Sequence, residues 1–371
     1  MMQLFRFLIL ALVWSGFARS TLAQKYSNEF LAIGVGARAH GMAGAQTAAV
    51  GDITAAYWNP AGLAAIRAPF QVAAMHAEWF AGIAQYDYLG FGKALHREQH
   101  AFLAVSVIRL GIDNIPYTIN LVNPDGSVNY DNVSSFSAAD YALLGSYART
   151  VGSWGAAVGG TVKVIRRIIG SFGSCWGFGA DAGLQYRKRN WVFGFMGRDL
   201  TTTFNAWSFT LSEREKQVFQ QTGNDLPTGG IEITRPRFIL GAARRFQLRE
   251  KIALLPALDL DVTTDGRRNT LLRTSFISAD LRLGVEVAYE QTLQIRLGVG
   301  NFQRVRKDFK PSEERLTFQP NFGIGLRLGR LQLDYALTDI GNLSQVLYSH
   351  VFSIRLDFKE RIQTPAEESN L

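Results

Sequence analysis

Between residues 281 and 299 the chain alternates. Leu281, Leu283, Val285, Val287 and Tyr289 interleave with Arg282, Gly284, Glu286, Ala288 and Glu290, and after a two-residue turn the apolar set resumes at Leu293, Ile295, Leu297 and Val299. A period of two sets one row of side chains against an oily surface and leaves the other free to carry charge. About ten such residues take a tilted strand across a bilayer, and the pattern recurs down most of the chain. A sheet sits in lipid only when closed, because an open edge leaves backbone groups without partners. The expected fold is all-β, an antiparallel transmembrane β-barrel of about fourteen strands.

The two ends read differently from the middle. Residues 1–23 carry Arg6, an apolar run from Phe7 to Trp14, and small residues ending Thr21-Leu22-Ala23, the layout of a cleaved secretory signal. Its removal takes Arg6 and Arg19 with it and lowers the formal charge from +8 to +6. The basic residues that remain are scattered, which fits lipid headgroups better than nucleic acid. Cys175 is the only cysteine, so neither an internal disulfide nor a cysteine metal site is available. Beyond the signal no apolar run reaches the roughly 18 residues of a membrane helix, and the mean hydropathy of +0.01 is what alternating strands produce.

The alternation places strands at about 69–79, 84–95, 99–110, 138–150, 154–166, 176–188, 191–199, 235–247, 251–263, 278–290, 292–301, 317–329, 331–338 and 346–358. Every long gap follows an odd-numbered strand, at 111–137, 167–175, 200–234, 264–277 and 302–316. Outer-membrane barrels show that parity, with short periplasmic turns and longer outer loops. Aromatic residues agree: Trp154, Tyr186, Trp191 and Tyr289 fall near periplasmic ends, and Trp79, Trp176 and Tyr348 near outer ends. The last strand ends on Phe358 and leaves a polar periplasmic tail, 359–371.

Residues 24–68 have no period of two and are rich in Gly and Ala, so they read as a plug of short helices and turns inside the barrel, with the barrel itself over 69–358. The run NEFLAIGVGARAHGMAGAQTAAVGDITAAYWNPAGLA resembles the start of the PorV/PorQ family of outer-membrane proteins of the type IX secretion system. The wider resemblance is to FadL-type transporters of hydrophobic compounds, through the Asn59-Pro60-Ala61 element and the strand count. The resemblance implies a multi-pass outer-membrane barrel that is not an enzyme. It implies as partners the type IX translocon, cargo with secretion carboxy-terminal domains, and lipid and lipopolysaccharide. The FadL-type alternative implies transport of a hydrophobic small molecule.

Carried over residue by residue, Gly34, Gly36, Arg38, Gly41, Met42, Gly44, Asp52, Trp58, Asn59, Pro60 and Gly62 match the family's signature. They read as determinants of plug and fold, not as cargo ligands. Arg38 and Asp52 are expensive in a lumen without partners. The expected wall charges are Asp181, Asp259, Asp261, Glu286 and Asp334 against Arg187, Arg282, Arg296, Arg327 and Arg355, with Arg38 on one of the carboxylates.

Other chemistry finds little support. Gly34-Val35-Gly36 has its third glycine misplaced for a nucleotide loop, no strand precedes it and no Gly-Lys-Ser/Thr follows. His96 and His100 sit on an expected turn, without the helix that would aim both at one metal. No Gly-x-Ser-x-Gly elbow is present, although a lipase site on one wall needs none. No cofactor, catalytic or metal residues are assigned. The better functional candidates are Tyr117, Tyr130, Phe204, Trp207 and Phe209 on the long outer connections, followed by a short helix over Leu211 to Gln221. They suit capture of protein or lipophile, or equally a cap in contact with lipopolysaccharide.

Overall fold

The computed structural model describes residues 27–96, 100–123, 125–266, 268–274, 276–307, 310–338 and 349–358. The expected signal (1–23), the tail (359–371) and Tyr348 lie outside them.

Fourteen strands form the wall of a closed antiparallel barrel. In chain order they are β1 (Phe70–Trp79), β2 (Ala84–His96), β3 (Ala101–Tyr117), β4 (Ser134–Val151), β5 (Ala156–Ile169), β6 (Gly173–Lys188) and β7 (Trp191–Arg198). There follow β8 (Arg237–Arg244), β9 (Ile252–Thr263), β10 (Ser278–Tyr289), β11 (Leu293–Lys307), β12 (Lys310–Leu328), β13 (Leu331–Thr338) and β14 (Ser349–Phe358). Each pairs with its neighbour, and β1 closes the ring on β14 from Phe70 opposite Phe358 to Glu78 opposite His350. Closure satisfies both edges of the sheet.

The alternation is visible as burial. In β6, Trp176, Phe178 and Leu184 are exposed while Cys175, Asp181 and Gln185 are buried. The same outward row continues through Leu89, Phe91, Val105, Ile295, Leu297, Ile324 and Phe352, all more than a third exposed. An apolar belt of that extent suits lipid.

Four observations alter the sequence reading. β3 runs to Tyr117, β4 starts at Ser134, and β11 and β12 fill most of the expected gap at 302–316, because above the belt a ladder needs no apolar row. Phe204, Trp207 and Phe209 lie on a strand, Thr203–Phe209, and not in a loop. That strand pairs with the upper half of β6 and with Gly230–Thr234, while the helix α3 (Glu213–Gln221) lies between them under a capping box of Ser212 and Glu215. Finally, Trp79 turns inward and is buried instead of standing at the lipid boundary.

Residues 27–69 occupy the barrel's interior as short turns, including α1 (Ala37–Gly41), α2 (Ala55–Trp58) and a 3-10 turn at Pro60–Ala65. On one side Ile53, Leu63 and Trp58 pack with Ile108, Leu144 and Ile165 of β3 to β5 in a continuous apolar core. On the other side contact is backbone to backbone. A Cβ on Gly298 of β11 would lie 2.4 Å from Ala43 N, and one on Gly284 of β10 would lie 2.7 Å from the Met42 carbonyl oxygen. Only glycine lets the wall approach this closely.

Candidate functional site

The inner segment is fastened to the wall by charge and by buried polar groups. Arg38 Nε donates to Glu286 Oε2 at 2.8 Å, and Arg296 Nε donates to the same oxygen at 2.7 Å. Arg296 Nη1 continues to Asp334 Oδ1 at 2.7 Å. Asp52 accepts from Arg355 Nη1 at 2.7 Å and from the Thr54 amide at 3.0 Å. Burial would raise the Asp52 carboxyl, but Arg355, Arg38 and Thr54 together hold it below the usual range. Burial likewise opposes the charge on Arg38, and Glu286 outweighs it, so Arg38 stays a cation.

Hydrogen bonds outside these ion pairs complete the attachment. Asp259 Oδ2 accepts the amides of Gln46 (2.9 Å) and Thr47 (2.8 Å), capping a turn of the inner segment from the wall. Asn59 Nδ2 donates to Thr47 O at 2.8 Å and Leu184 O at 3.1 Å, while its Oδ1 accepts from Ala61 N at 3.2 Å. Pro60 follows at the first position of the 3-10 turn, where its missing N–H leaves no partner unmet. Trp58 Nε1 donates to Val35 O at 2.8 Å, and its ring lies over Gly34 and Gly44, where a Cβ would come within 2.9 and 3.2 Å. Gly36 N donates to Met75 Sδ, Gly41 faces Gly323, Met42 is fully buried, and Gly62 packs on Val50 O.

The other wall charges fall into separate small groups. Asp261 is bound by Arg282 at 2.7 Å and Arg237 at 3.1 Å. Asp181 is bound by Lys163 at 2.8 Å, and Lys163 also holds Asp199 at 2.5 Å. Arg187 bonds Gln185 Oε1, and Arg327 reaches Asp357 at 3.2 Å. Lys163, Arg198 and Asp199 were not singled out from the sequence. A lysine between Val162 and Val164 in an apolar strand was the available signal for the first. Arg198, buried at the end of β7, donates to Tyr57 O at 3.0 Å and lies 4.4 Å over the Tyr57 ring.

Two cavities lie at opposite ends of the lumen along the same strands, β10 to β13. At the long-loop end, 340 Å³ is bounded by Trp58, Trp79, Phe80, Ile33 and His40 on one side and Arg282, Asp280 and Asn301 on the other. Burial pushes the His40 imidazole down to about 4, so it is neutral at pH 7 and its ring, 5.7 Å from that of Trp79, belongs to the apolar side. At the short-turn end, 310 Å³ is bounded by Arg245, Arg327, Arg355, Gln291, Gln294 and Gln332. Between them stand Arg38 with Glu286 and the stretch from Gly41 to Gly44 against Gly284, Gly298 and Gly323.

The aromatic candidates of the long connections separate. Tyr130 is 77% exposed, whereas Tyr117 donates to Glu215 at 2.5 Å and packs with Phe136 and Phe172, bracing α3 to β3. Phe204 packs beside Phe178, and Trp207 stacks on Phe209 under Arg167. No group of three or more potential metal ligands occurs among the described residues.

No protein-family model matches the chain, and no curated protein matches it in sequence. Solved structures do match. The Pseudomonas putida toluene transporter TodX superimposes with a TM-score of 0.53 at 13% identity, over 88% of this chain and 99% of that one. The CymD monoaromatic hydrocarbon channel gives 0.55 at 12% identity over 91% and 100%. A Pseudomonas aeruginosa FadL homologue gives 0.51 at 13% over 87% and 98%. The fold is therefore that of FadL-like barrels. Nothing among these matches supports the PorV/PorQ assignment.

Proposed function

We propose that this chain is an outer-membrane channel for hydrophobic small molecules. The observation that carries the proposal is the pair of cavities stacked along β10 to β13, separated by one turn of the inner segment that rests on wall glycines. The turns at 189–190 and 329–330 then face the periplasm and the long connections face outward. An apolar molecule enters the outer cavity against Trp58, Trp79 and Phe80, where burial of its surface supplies the affinity. Passage then requires displacement of Gly41–Gly44. That movement uncovers Met42, packed with Ala45, Ala48, Ala243 and Ala257, while the larger apolar anchor on β3 to β5 stays in place. The toluene and monoaromatic-hydrocarbon channels of the same fold point to small aromatics as the first ligands to try.

The test is uptake of radiolabelled toluene by cells that carry the chain and by cells with an empty vector. Several-fold faster accumulation is expected. Equal rates, with binding of toluene to neither the purified protein nor its Trp58→Phe variant, would overturn the reading.

A second reading, a barrel of type IX secretion that binds cargo or the translocon, rests on the amino-terminal run from Asn28 to Ala64 and on the charged lumen. Recovery of a giant translocon protein from solubilised membranes, without toluene uptake, favours it.

A further inference from the structure

The cavity at the periplasmic end has a chemistry of its own. Its lining is polar throughout, and its apolar members are only alanine and glycine. The sign of ligand it takes follows from which charges are already engaged. Both lining carboxylates are occupied, Glu286 by Arg38 and Arg296, and Asp52 by Arg355. A cation entering here meets no free acid.

Guanidinium donors, by contrast, are left over. Arg245, exposed just past β8, has no hydrogen-bond or ion-pair partner for its side chain among the described residues. Arg327 is 40% exposed and makes one 3.2 Å contact, with Asp357. Arg355 Nε has no hydrogen-bond partner, its nearest acid being Asp357 Oδ1 at 3.8 Å. Gln332 and Gln294 bond one another, so their amides stiffen the floor. Arginine presents paired N–H groups that match the two oxygens of a carboxylate or phosphate, and 310 Å³ is at the small end of ligand sites.

We infer that this cavity is a periplasm-facing site for a small oxyanion, held by Arg245 and Arg327 with Arg355 behind them. The inference needs only the barrel's geometry and does not depend on uptake of hydrophobic molecules.

Calorimetry on the full chain in nanodiscs at low ionic strength tests it, with sodium benzoate, inorganic phosphate and neutral benzamide as probes. Benzoate or phosphate should bind at least tenfold tighter than benzamide, and the stronger of the two identifies the source chemistry. The double variant Arg245→Gln/Arg327→Gln should weaken that anion at least tenfold. Arg330→Gln, on the adjacent turn outside the cavity, should leave it within twofold. Equal binding of anion and benzamide, or no loss in the double variant, overturns the site. Unchanged migration of unheated samples on gels shows that each variant keeps its barrel.

Discussion

Arg38 and Arg296 converge on one carboxylate, that of Glu286, from opposite sides of the boundary between inner segment and wall, at 2.8 and 2.7 Å. The arrangement is asymmetric. Removing Arg38 leaves Glu286 paired with Arg296, whereas removing the carboxylate strips Arg38 of its acid and leaves Arg296 with Asp334 alone.

Glu286→Gln should therefore destabilise the protein by about 3–5 kcal/mol, the range for breaking a buried pair from one side. Arg38→Met should cost clearly less. Denaturant unfolding followed by the mobility of unheated samples ranks the two, and the reverse order would contradict the shared-carboxylate geometry.

Gly298→Ala puts a methyl group 2.4 Å from Ala43 N, where neither backbone can yield without moving the other. A loss of about 1–3 kcal/mol is expected for such overpacking. Gly145→Ala is the matched control, since its nearest neighbour would be Val162 Cγ2 at 3.5 Å, an ordinary contact. Its midpoint should stay within error of the parent.

What was legible in the sequence follows from where lipid imposes a rule. Along β9, Leu258, Leu260 and Val262 against Asp259 and Asp261 mark the phase, because one row faces hydrocarbon and the other the lumen. Above the belt that rule lapses. Gln303 to Val305 pair with Arg315 to Thr317 as a regular ladder without an apolar row, so the pattern shows a gap where the structure has strands. The end of β7 was read to within one residue, but not the contact that holds the break, the Asp199 amide donating to Asp181 Oδ1 at 2.7 Å across the neighbouring strand. Likewise nothing local shows that Trp79, at a strand end, turns to the lumen. The charged lumen was readable by phase, but which acid meets which base was not: Lys163 with Asp199 spans 36 residues and Arg38 with Glu286 spans 248.

Acid should act on the inner segment in two steps. In the unfolded chain His40 has the ordinary value of 6.5, while burial in the fold lowers it to about 4, so between those values the unfolded state binds the extra proton. Stability associated with neutral His40 is complete above pH 6.5 and is lost as pH falls toward 4, by at most about 3 kcal/mol. Asp52, whose carboxyl is held low by Arg355 and Arg38, adds a further loss below its ordinary value of 3.8. His40→Gln should flatten the decline between pH 6.5 and 4 in thermal unfolding and leave the steeper acid limb in place. A decline unchanged by that substitution would place the proton elsewhere.

The gating step can be frozen at one contact. A Cβ on Gly300 would lie 3.5 Å from Ala43 Cβ, at the short end of the spacing that a disulfide bridges. Cys175 is buried on β6, on a different part of the wall, so it does not compete for either partner. In Ala43→Cys/Gly300→Cys the oxidised protein ties the Gly41–Gly44 turn to β11 and keeps the two cavities apart. If that turn moves during passage, oxidation should reduce toluene uptake at least tenfold, reductant should restore it, and each single variant should transport like the parent. Full uptake by the verified disulfide form would show that molecules bypass this turn, and the path between the cavities would have to be sought elsewhere in the lumen.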